Sequence, residues 1–390
     1  MGGEGYIGSA IVARLAYIYP LTNITSLDAG WFSHPDYPFM KKAAHNQRIE
    51  FYPESSIGIK VVHEGEVRKG IINFIRCTTI NMKWEEFFKS KSYDVVIWVA
   101  GHSSVKMCQS NSSDFYENAV AAHPAYNNNY RDFTECVIPY LRMEGRQPLF
   151  IYASSASVYG NSDKRVTEQD VPSHTINLYD TLMRRREIFV RNMTENTDTS
   201  NTNIVGLRFG TVNGASPNFR SELMLNSMMY YGMKDRKIMI SNPDTKRSIL
   251  DIRHLSMTIC DMIDRYDSGM NYGVNVFNLG SINSTVGSLA VGAKKALFNY
   301  HEIDAEIVEF VSPASPYSFH LDCSKISDTV KPSINFVNGL VSPDRAVDIS
   351  YSAGNTLRKI LFDTGSESIY CQSEIWLPNV DNRDEPKEYK

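Results

Sequence analysis

Residues 150–160 read FIYASSASVYG, an apolar run that stops abruptly in small hydroxyl residues. A short run of this kind predicts a buried parallel strand whose carboxyl end presents Ser154 and Ser155. In an open α/β sheet that end is where ligands bind. Tyr179 follows 24 residues after Ser155 and begins YDTLMRRREIF, which reads as a helix. A phenol brought back to the serine hydroxyl can move a proton on or off a sugar hydroxyl or carbonyl. It does so near neutral pH only if positive charge lowers its pKa from about 10. By themselves the two residues fit a buried Ser-rich turn and a half-exposed Tyr equally well.

Upstream, residues 2–9 read GGEGYIGS and lead directly into a helical pattern of Ile11, Val12, Leu15 and Ile18. Gly2, Gly5 and Gly8 have a spacing that permits a tight turn and lets the backbone approach a pyrophosphate at a helix N-terminus. The next apolar run, Ile24 to Leu27, ends in Asp28, 20 residues after Gly8. A carboxylate at the tip of the second strand accepts the adenine-ribose hydroxyls of NAD and repels the 2′-phosphate of NADP. An ordinary strand-end Asp is the competing reading. Such a loop is expected to follow a buried strand, and this sequence opens on the loop. A shortened reading frame or a misplaced start would remove that strand. Because it is central in the doubly wound order, its loss would leave a groove and unpaired backbone groups, lowering stability and cofactor affinity.

Further strands are expected at 71–75, 94–99, 204–209 and 274–279, and helices at 114–142, from 179, at 223–231, 286–296 and 343–362. Alternating strands and helices predict an α/β fold with a parallel, doubly wound sheet. Residues 29–70 read as one long aromatic-rich connection. The strand at 94–99 runs into Ala100 and Gly101, small residues suited to close contact with a dinucleotide; His102 beside them reads as structural. The Met-rich helix at 223–231 reads as core filling.

The chain has 390 residues, 42% of them apolar, enough for one large α/β domain and a smaller lobe. A net charge of −4 carries no signature of nucleic-acid or membrane binding. No apolar run approaches the span of a bilayer and no secretion signal is visible, which makes a cytoplasmic protein the expectation. The six cysteines lack a C-x-x-C pair and read as reduced thiols, with no metal site. The N-x-S/T triplets at Asn23, Asn111, Asn192 and Asn283 read as chance matches.

With the glycine triplet, Asp28, Ser155 and Tyr179 in this order, the chain resembles the extended short-chain dehydrogenase/reductases, the NAD-dependent nucleotide-sugar epimerases and dehydratases. AGHSSV (100–105), SSASVYG (154–160), LRFGTVNG (207–214), FNLGS (277–281) and DCSKI (322–326) extend the likeness to about residue 345. The resemblance implies a NAD-binding Rossmann domain over 1–207, to which 248–282 return. It implies a substrate-binding lobe over 208–247 and 283–345, then a C-terminal helix and polar tail over 346–390. Gly2, Gly5, Gly8, Asp28, Ala100 and Gly101 would hold NAD, Ser155 would hydrogen-bond the reacting sugar oxygen, and Tyr179 would be the base. Asn129, Thr211, Asn226 and Arg247 fall to the nucleotide-sugar substrate. An Arg suits the diphosphate because its planar fork donates two hydrogen bonds at once. Asn127, Asn128 and Asn118 compete with Asn129 for its role, and a solvated surface cation is the other reading of Arg247. The helices at 114–142 and 179–192 match those that pair family members into homodimers through a four-helix bundle.

Departures from the pattern matter as much. The family's Tyr-x-x-x-Lys is Tyr-x-x-x-Met here, Met183 standing where a lysine would hold the nicotinamide ribose and lower the tyrosine's pKa. Arg184 is turned roughly 140° from Tyr179, and Arg186 returns to its face but about 10 Å along the axis, so neither is expected to replace the lysine simply. Thr78 stands where an Asp near the adenine is usual, and Tyr317 where many members carry a phosphate-binding Arg. Dehydratases of the family place an Asp-Glu pair after the Ser; Ala156 and Ser157 occupy those positions and match the 4-epimerase pattern best. The expected activity is therefore C4 epimerisation through a 4-keto sugar. Another NAD-linked sugar oxidoreductase or dehydratase, and a catalytically weakened binding protein, are the alternatives.

Overall fold

The computed structural model describes residues 1–29, 55–63, 66–76, 82–90, 92–102, 108, 126–143, 145, 147–170, 175–195, 201–216, 218–313, 317–358 and 374–376. Helix α1 (Tyr6–Ile18) is followed by β1 (Ile24–Asp28), β2 (Ser55–His63), β3 (Glu66–Arg76), α2 (Trp84–Ser90) and β4 (Val95–Trp98). A π-helical turn, Asn127–Arg131, runs into α3 (Asp132–Leu141), and then come β5 (Leu149–Ser155), β6 (Asn161–Val166), α4 (Leu178–Thr194) and β7 (Asn203–Phe209). The remainder is β8 (Thr211–Asn213), α5 (Met224–Asp235), β9 (Lys237–Ile240), β10 (Lys246–Asp251), α6 (Ile252–Asp267), β11 (Gly273–Leu279), β12 (Ile282–Thr285), α7 (Val286–His301), β13 (Glu306–Glu309), β14 (Ser318–Leu321), α8 (Ser324–Val330), α9 (Asp344–Arg358) and β15 (Glu374–Trp376).

Strands β4, β5, β7 and β11 lie side by side and all parallel, in the order β11-β7-β5-β4. Every residue of β7 is buried, as a strand covered on both faces requires. One face carries the large rings of Trp98, Phe133, Tyr140 and Phe150. A Cβ at Gly206 would lie 2.6 Å from the Tyr152 ring, so glycine in β7 makes room for the phenol on β5. A second sheet has the order β1-β3-β2-β15, with β1 parallel to β3 from Ile24 opposite Ile72 to Asp28 opposite Arg76.

The two sheets meet through Met1 and Gly2. The Gly2 amide donates to the Leu27 carbonyl at 2.8 Å, the Val99 amide to the Met1 carbonyl at 3.0 Å, and the Met1 ammonium to the Ile97 carbonyl at 2.7 Å. Below this stitch β1 and β4 stand apart across a cleft of about 580 Å³, walled by both strands, by Ile11, Val12 and Leu15 of α1, and by Ile263 of α6. On one side of this cleft the four parallel strands keep the order of a doubly wound sheet. The fold class is the one read from the sequence, an α/β Rossmann architecture with a smaller C-terminal lobe. In that lobe β8, β10 and β12 form a small sheet, β9 pairs with β13, and β6 pairs with β14.

Two expectations are corrected. Residues 29–70 are not all connection, because β2 and the start of β3 form an antiparallel pair from Ser55 opposite Phe74 to His63 opposite Glu66. The alternation of Ile57, Ile59 and Val61 is a strand signal with period two. The stretch read as a polar tail contributes β15, which pairs parallel with β2. Thr78, Asn118, Ser103, Ser104, and residues 114–125 of the expected helix at 114–142 lie outside the described residues.

Candidate active site

The glycine loop is built by steric exclusion. Gly2 sits at φ +79°, and a Cβ there would be 2.7 Å from the Ala100 amide nitrogen, so the loop lies flat on the end of β4. A Cβ on Gly8 would come within 1.9 Å of the Gly2 carbonyl oxygen, so the first turn of α1 packs directly on the loop. Gly5 is the N-cap of α1, and a Cβ there would meet only the Gly2 oxygen, at 3.5 Å. The loop is thus closed from behind and open in front at a helix N-terminus, a cradle that fits a pyrophosphate. Asp28 ends β1 beside it, its Oδ2 accepting from the Glu4 amide at 2.9 Å. The cradle and the carboxylate beside it fit a dinucleotide such as NAD.

Ser155 and Tyr179 also come together. Ser155 closes β5, where its Oγ accepts from the Ser157 amide at 3.2 Å and lies 2.7 Å from the Ser157 Oγ. Asn177 caps α4 through the Asp180 amide and so fixes Tyr179 in the first turn. The Tyr179 phenol faces Ser155; burial raises it above its ordinary 10.0, while the Ser155 hydroxyl and the charge of Arg186 pull it down.

Arg186 reaches further toward the helix N-terminus than its Cα position suggests. Its side chain leans toward the helix N-terminus, as helical side chains do, and carries the guanidinium back one turn. Nη1 lies 3.9 Å from the Met183 sulfur and donates to the Ala153 carbonyl at 3.0 Å; Nη2 donates to the Ala100 carbonyl at 3.1 Å; Nε donates to the Asn129 carbonyl. The group is fully buried over the Phe133 ring. Distance along the axis measured Cα positions and ignored the reach of the side chain. Arg184, as expected, turns away, 3.8 Å from Glu187.

Gly101, at φ +128°, faces the Oδ1 of Asn129, and the Asn129 Nδ2 donates to the His102 carbonyl at 3.1 Å. Asn129 is therefore placed behind the Ala100–His102 turn. Asn226 is fully buried and faces inward: its Oδ1 accepts from the Gly214 amide at 3.0 Å, and its Nδ2 donates to the Arg220 carbonyl at 2.9 Å and to the Tyr6 hydroxyl at 3.2 Å. Thr211 begins β8, half-buried. Arg247 lines a separate cleft of about 460 Å³ with Met224, Met228, Met239 and Phe310. Its Nη1 donates to the carbonyls of Lys246 and Tyr317, and burial pushes its guanidinium down to about 10.

Sequence reasoning missed two parts. Asp180 is buried behind Tyr179, and burial raises its carboxyl above the ordinary 3.8, opposed by the Ser157 and Tyr317 hydroxyls that face it. The Tyr317 hydroxyl donates to its Oδ2 at 2.6 Å, so the residue in place of an Arg braces α4. Glu187 forms a buried bidentate pair with Arg208 of β7, at 2.9 and 2.7 Å, and accepts from the Ser154 hydroxyl at 2.6 Å. The signal for that pair was the Glu of YDTLMRRREIF and the Arg of LRFGTVNG.

Residues 1–280 match the NAD dependent epimerase/dehydratase family. Among solved structures, the chain is similar to the UDP-glucuronic acid 4-epimerase from Bacillus cereus, solved with UDP-glucuronic acid and NAD. The TM-score is 0.65 at 18% identity over 92% of this chain and 98% of that one. It is similar to the UDP-N-acetylglucosamine 4-epimerase from Methanobrevibacter ruminantium M1 at a TM-score of 0.63 and 17% identity, over 92% and 97% of the two chains. It also resembles the dTDP-glucose 4,6-dehydratase from Bacillus anthracis str. Ames, solved with NAD, at 0.60 and 15% over 92% and 94%. At these identities the neighbours establish the fold, while the match over most of the sequence assigns the chain to the NAD-dependent epimerase/dehydratase family.

Proposed function

We propose that the protein is a nucleotide-sugar 4-epimerase in which Gly2, Gly5, Gly8, Asp28, Ala100, Gly101 and Met183 would hold NAD. The observation that carries this reading is the Tyr179 phenol facing the Ser155 hydroxyl at the carboxyl end of β5, with no carboxylate at positions 156 and 157. NAD bound there would supply a hydride acceptor and donor for the sugar's C4. Tyr179, as phenolate, takes the proton from the O4 hydroxyl as C4 is oxidised and gives it back as the ketone is reduced. Ser155 donates a hydrogen bond to the same oxygen and holds it at the phenol. The Arg247 cleft, with its apolar Met and Phe walls, suits a nucleoside diphosphate, and the neighbours solved with UDP-glucuronic acid and NAD support that substrate class.

This reading takes residues 208–247 and 283–345 as the substrate lobe, with Thr211 and Arg247 reaching the ligand. Asn129 and Asn226 then act from behind, shaping the turn at Gly101 and the loop at Gly214. It places the enzyme in the cytoplasm, in keeping with free buried thiols at Cys108, Cys136, Cys260 and Cys323. No helix among the described residues is long and apolar enough to cross a membrane. It pairs two copies through α4 and the segment that ends in α3; there the half-buried Tyr126 and Tyr130, ahead of α3, meet Phe189 of α4.

A second reading, sugar dehydration, is favoured by Asp180, whose protonation is promoted by burial and which faces Ser157 from α4. One experiment separates the two. The protein, loaded with NAD, is incubated with UDP-glucuronic acid and other UDP- and dTDP-sugars in D₂O, and products are followed by NMR. Epimerisation yields the 4-epimer with no deuterium at C5, and Tyr179→Phe abolishes it. A 4-keto-6-deoxy product with deuterium at C5 establishes dehydration instead.

A further inference from the structure

We propose that Arg186 is the resident cation of this site, a positioning residue that holds its charge behind the Tyr179 phenol so that Tyr179 can serve as a base. The inference deepens the reading of Tyr179 as a proton acceptor and rests on it.

Removal from water disfavours the phenolate of a buried tyrosine, and only hydrogen bonds and positive charge can restore it. The Ser155 hydroxyl faces the phenol and pulls it down. The charge must come from a cation close by in the same low-dielectric interior, because exposed cations are screened within a Debye length. On α4, Tyr179, Met183 and Arg186 are spaced by four and three residues, which places the first and last within about 20° of one another around the helix. Met183 is buried and uncharged, and the guanidinium of Arg186 reaches down to its sulfur.

The second feature is how Arg186 is neutralised. Its contacts are the carbonyls of Ala100, Asn129 and Ala153 and the Met183 sulfur, and among the described residues no carboxylate forms an ion pair with it. Carbonyl dipoles satisfy its N–H groups but leave its net charge in place. A buried cation without an anion is costly, and its cost is unexplained by packing alone. Two of those carbonyls end the strands that carry the cradle and Ser155: Ala100 follows β4, and Ala153 lies two residues before Ser155 on β5. The charge is therefore locked to the catalytic end of the sheet and cannot swing out to solvent. Burial brings the guanidinium down to about 10, which leaves it cationic at neutral pH.

The titratable groups that face the pair are few. Asp180, on the same helix, and Cys108 both raise the Tyr179 phenol, and burial pushes the Cys108 thiol itself up to about 12. Tyr152 of β5 faces Arg186 and is raised by burial, and Asp132 at the start of α3 is engaged by Arg131 at 3.4 Å. Among these Arg186 is the cation.

The test reads Tyr179 directly. 3-Fluorotyrosine, whose ring substituent lowers the intrinsic pKa, is placed at position 179 in the full chain and titrated by ¹⁹F NMR without any sugar. It therefore reports whether or not a nucleotide sugar is turned over, while failure of the epimerase reading shows separately in the product assay. Arg186→Gln is expected to raise the midpoint by about one pH unit or more, and Arg186→Lys to raise it much less. Arg186→Gln combined with Met183→Lys is expected to bring the midpoint back toward the parent value. A folded Arg186→Gln protein whose midpoint lies within a few tenths of the parent overturns the proposal. If Arg186→Gln does not fold, Met183→Lys alone decides: a second cation at the place Arg186 reaches must lower the midpoint, and an unmoved midpoint overturns the proposal.

Discussion

Gly5→Ala separates the cradle's role in binding from its role in folding. Gly5 has φ −75° and ψ 177°, extended backbone that alanine adopts freely. Its added methyl would meet only the Gly2 oxygen at 3.5 Å, an ordinary contact. The cost to the folded chain is the loss of a good N-cap residue, no more than about 1 kcal/mol. On the open side the methyl stands where the pyrophosphate must approach the helix N-terminus. An affinity loss of about tenfold to a hundredfold follows, or ~1.4–2.8 kcal/mol. Gly8→Ala is the contrast: its methyl would lie 1.9 Å from the Gly2 oxygen with backbone on two further sides, so overpacking of about 1–3 kcal/mol should damage stability and binding together. Calorimetric titration with NAD, alongside thermal melts, measures both quantities for both variants. A Gly5→Ala protein that melts like the parent and binds NAD with undiminished affinity would refute the assignment of this loop to the cofactor.

Three further outcomes follow from the geometry. Glu187→Gln leaves Arg208 buried without its bidentate partner, and a stability loss of about 3–5 kcal/mol is expected by chemical denaturation; a loss below about 1 kcal/mol would show the pair to be dispensable. Asp180 binds its proton more tightly folded than unfolded, so the stability it contributes is complete below its unfolded pKa and is lost as pH rises through the raised folded value. Asp180→Asn, which can still accept from Tyr317, should therefore raise the melting temperature near neutral pH, with the gain fading below about pH 4; a gain confined to acid pH would contradict this sign. Finally, five apolar β-branched residues fused ahead of Met1 would run between β1 and β4 into the cleft of about 580 Å³. Each side chain fully buried there should add about 1.5–3 kcal/mol before ordering costs, read as a higher denaturation midpoint that a Lys-substituted fusion fails to give.

Much of the site was legible because its residues are fixed by backbone demands. Gly2 and Gly8 are required by contacts that no side chain survives, and Ser155 ends a strand buried on both faces. The strands were readable for the same reason: β5 and β7 are continuous apolar runs that cannot be placed on a surface. The contact of the Arg186 guanidinium with Met183 was not legible, because a helical wheel places Cα atoms and leaves out the reach of the side chain. Asn226 was taken for a ligand contact, yet its amide is spent on Gly214, Tyr6 and Arg220, partners 6 to 220 residues away in sequence. Asp180 gave no signal, since its importance comes from Ser157 and Tyr317, which only folding brings to it. The pairing of β2 with β3 was hidden by reading the aromatic stretch before it as one loop.

The most direct test of the account follows the hydrogen at C4. UDP-glucuronic acid deuterated at C4 is incubated in ordinary water with the NAD-loaded protein, and the sugar is recovered and analysed by NMR and mass. If Tyr179 and Ser155 carry out oxidation and reduction at one carbon, the 4-epimer appears with its deuterium still on C4, and Tyr179→Phe forms none. A product that has lost the C4 deuterium to solvent, or a decarboxylated 4-ketopentose whose deuterium has stayed on the cofactor, would contradict it.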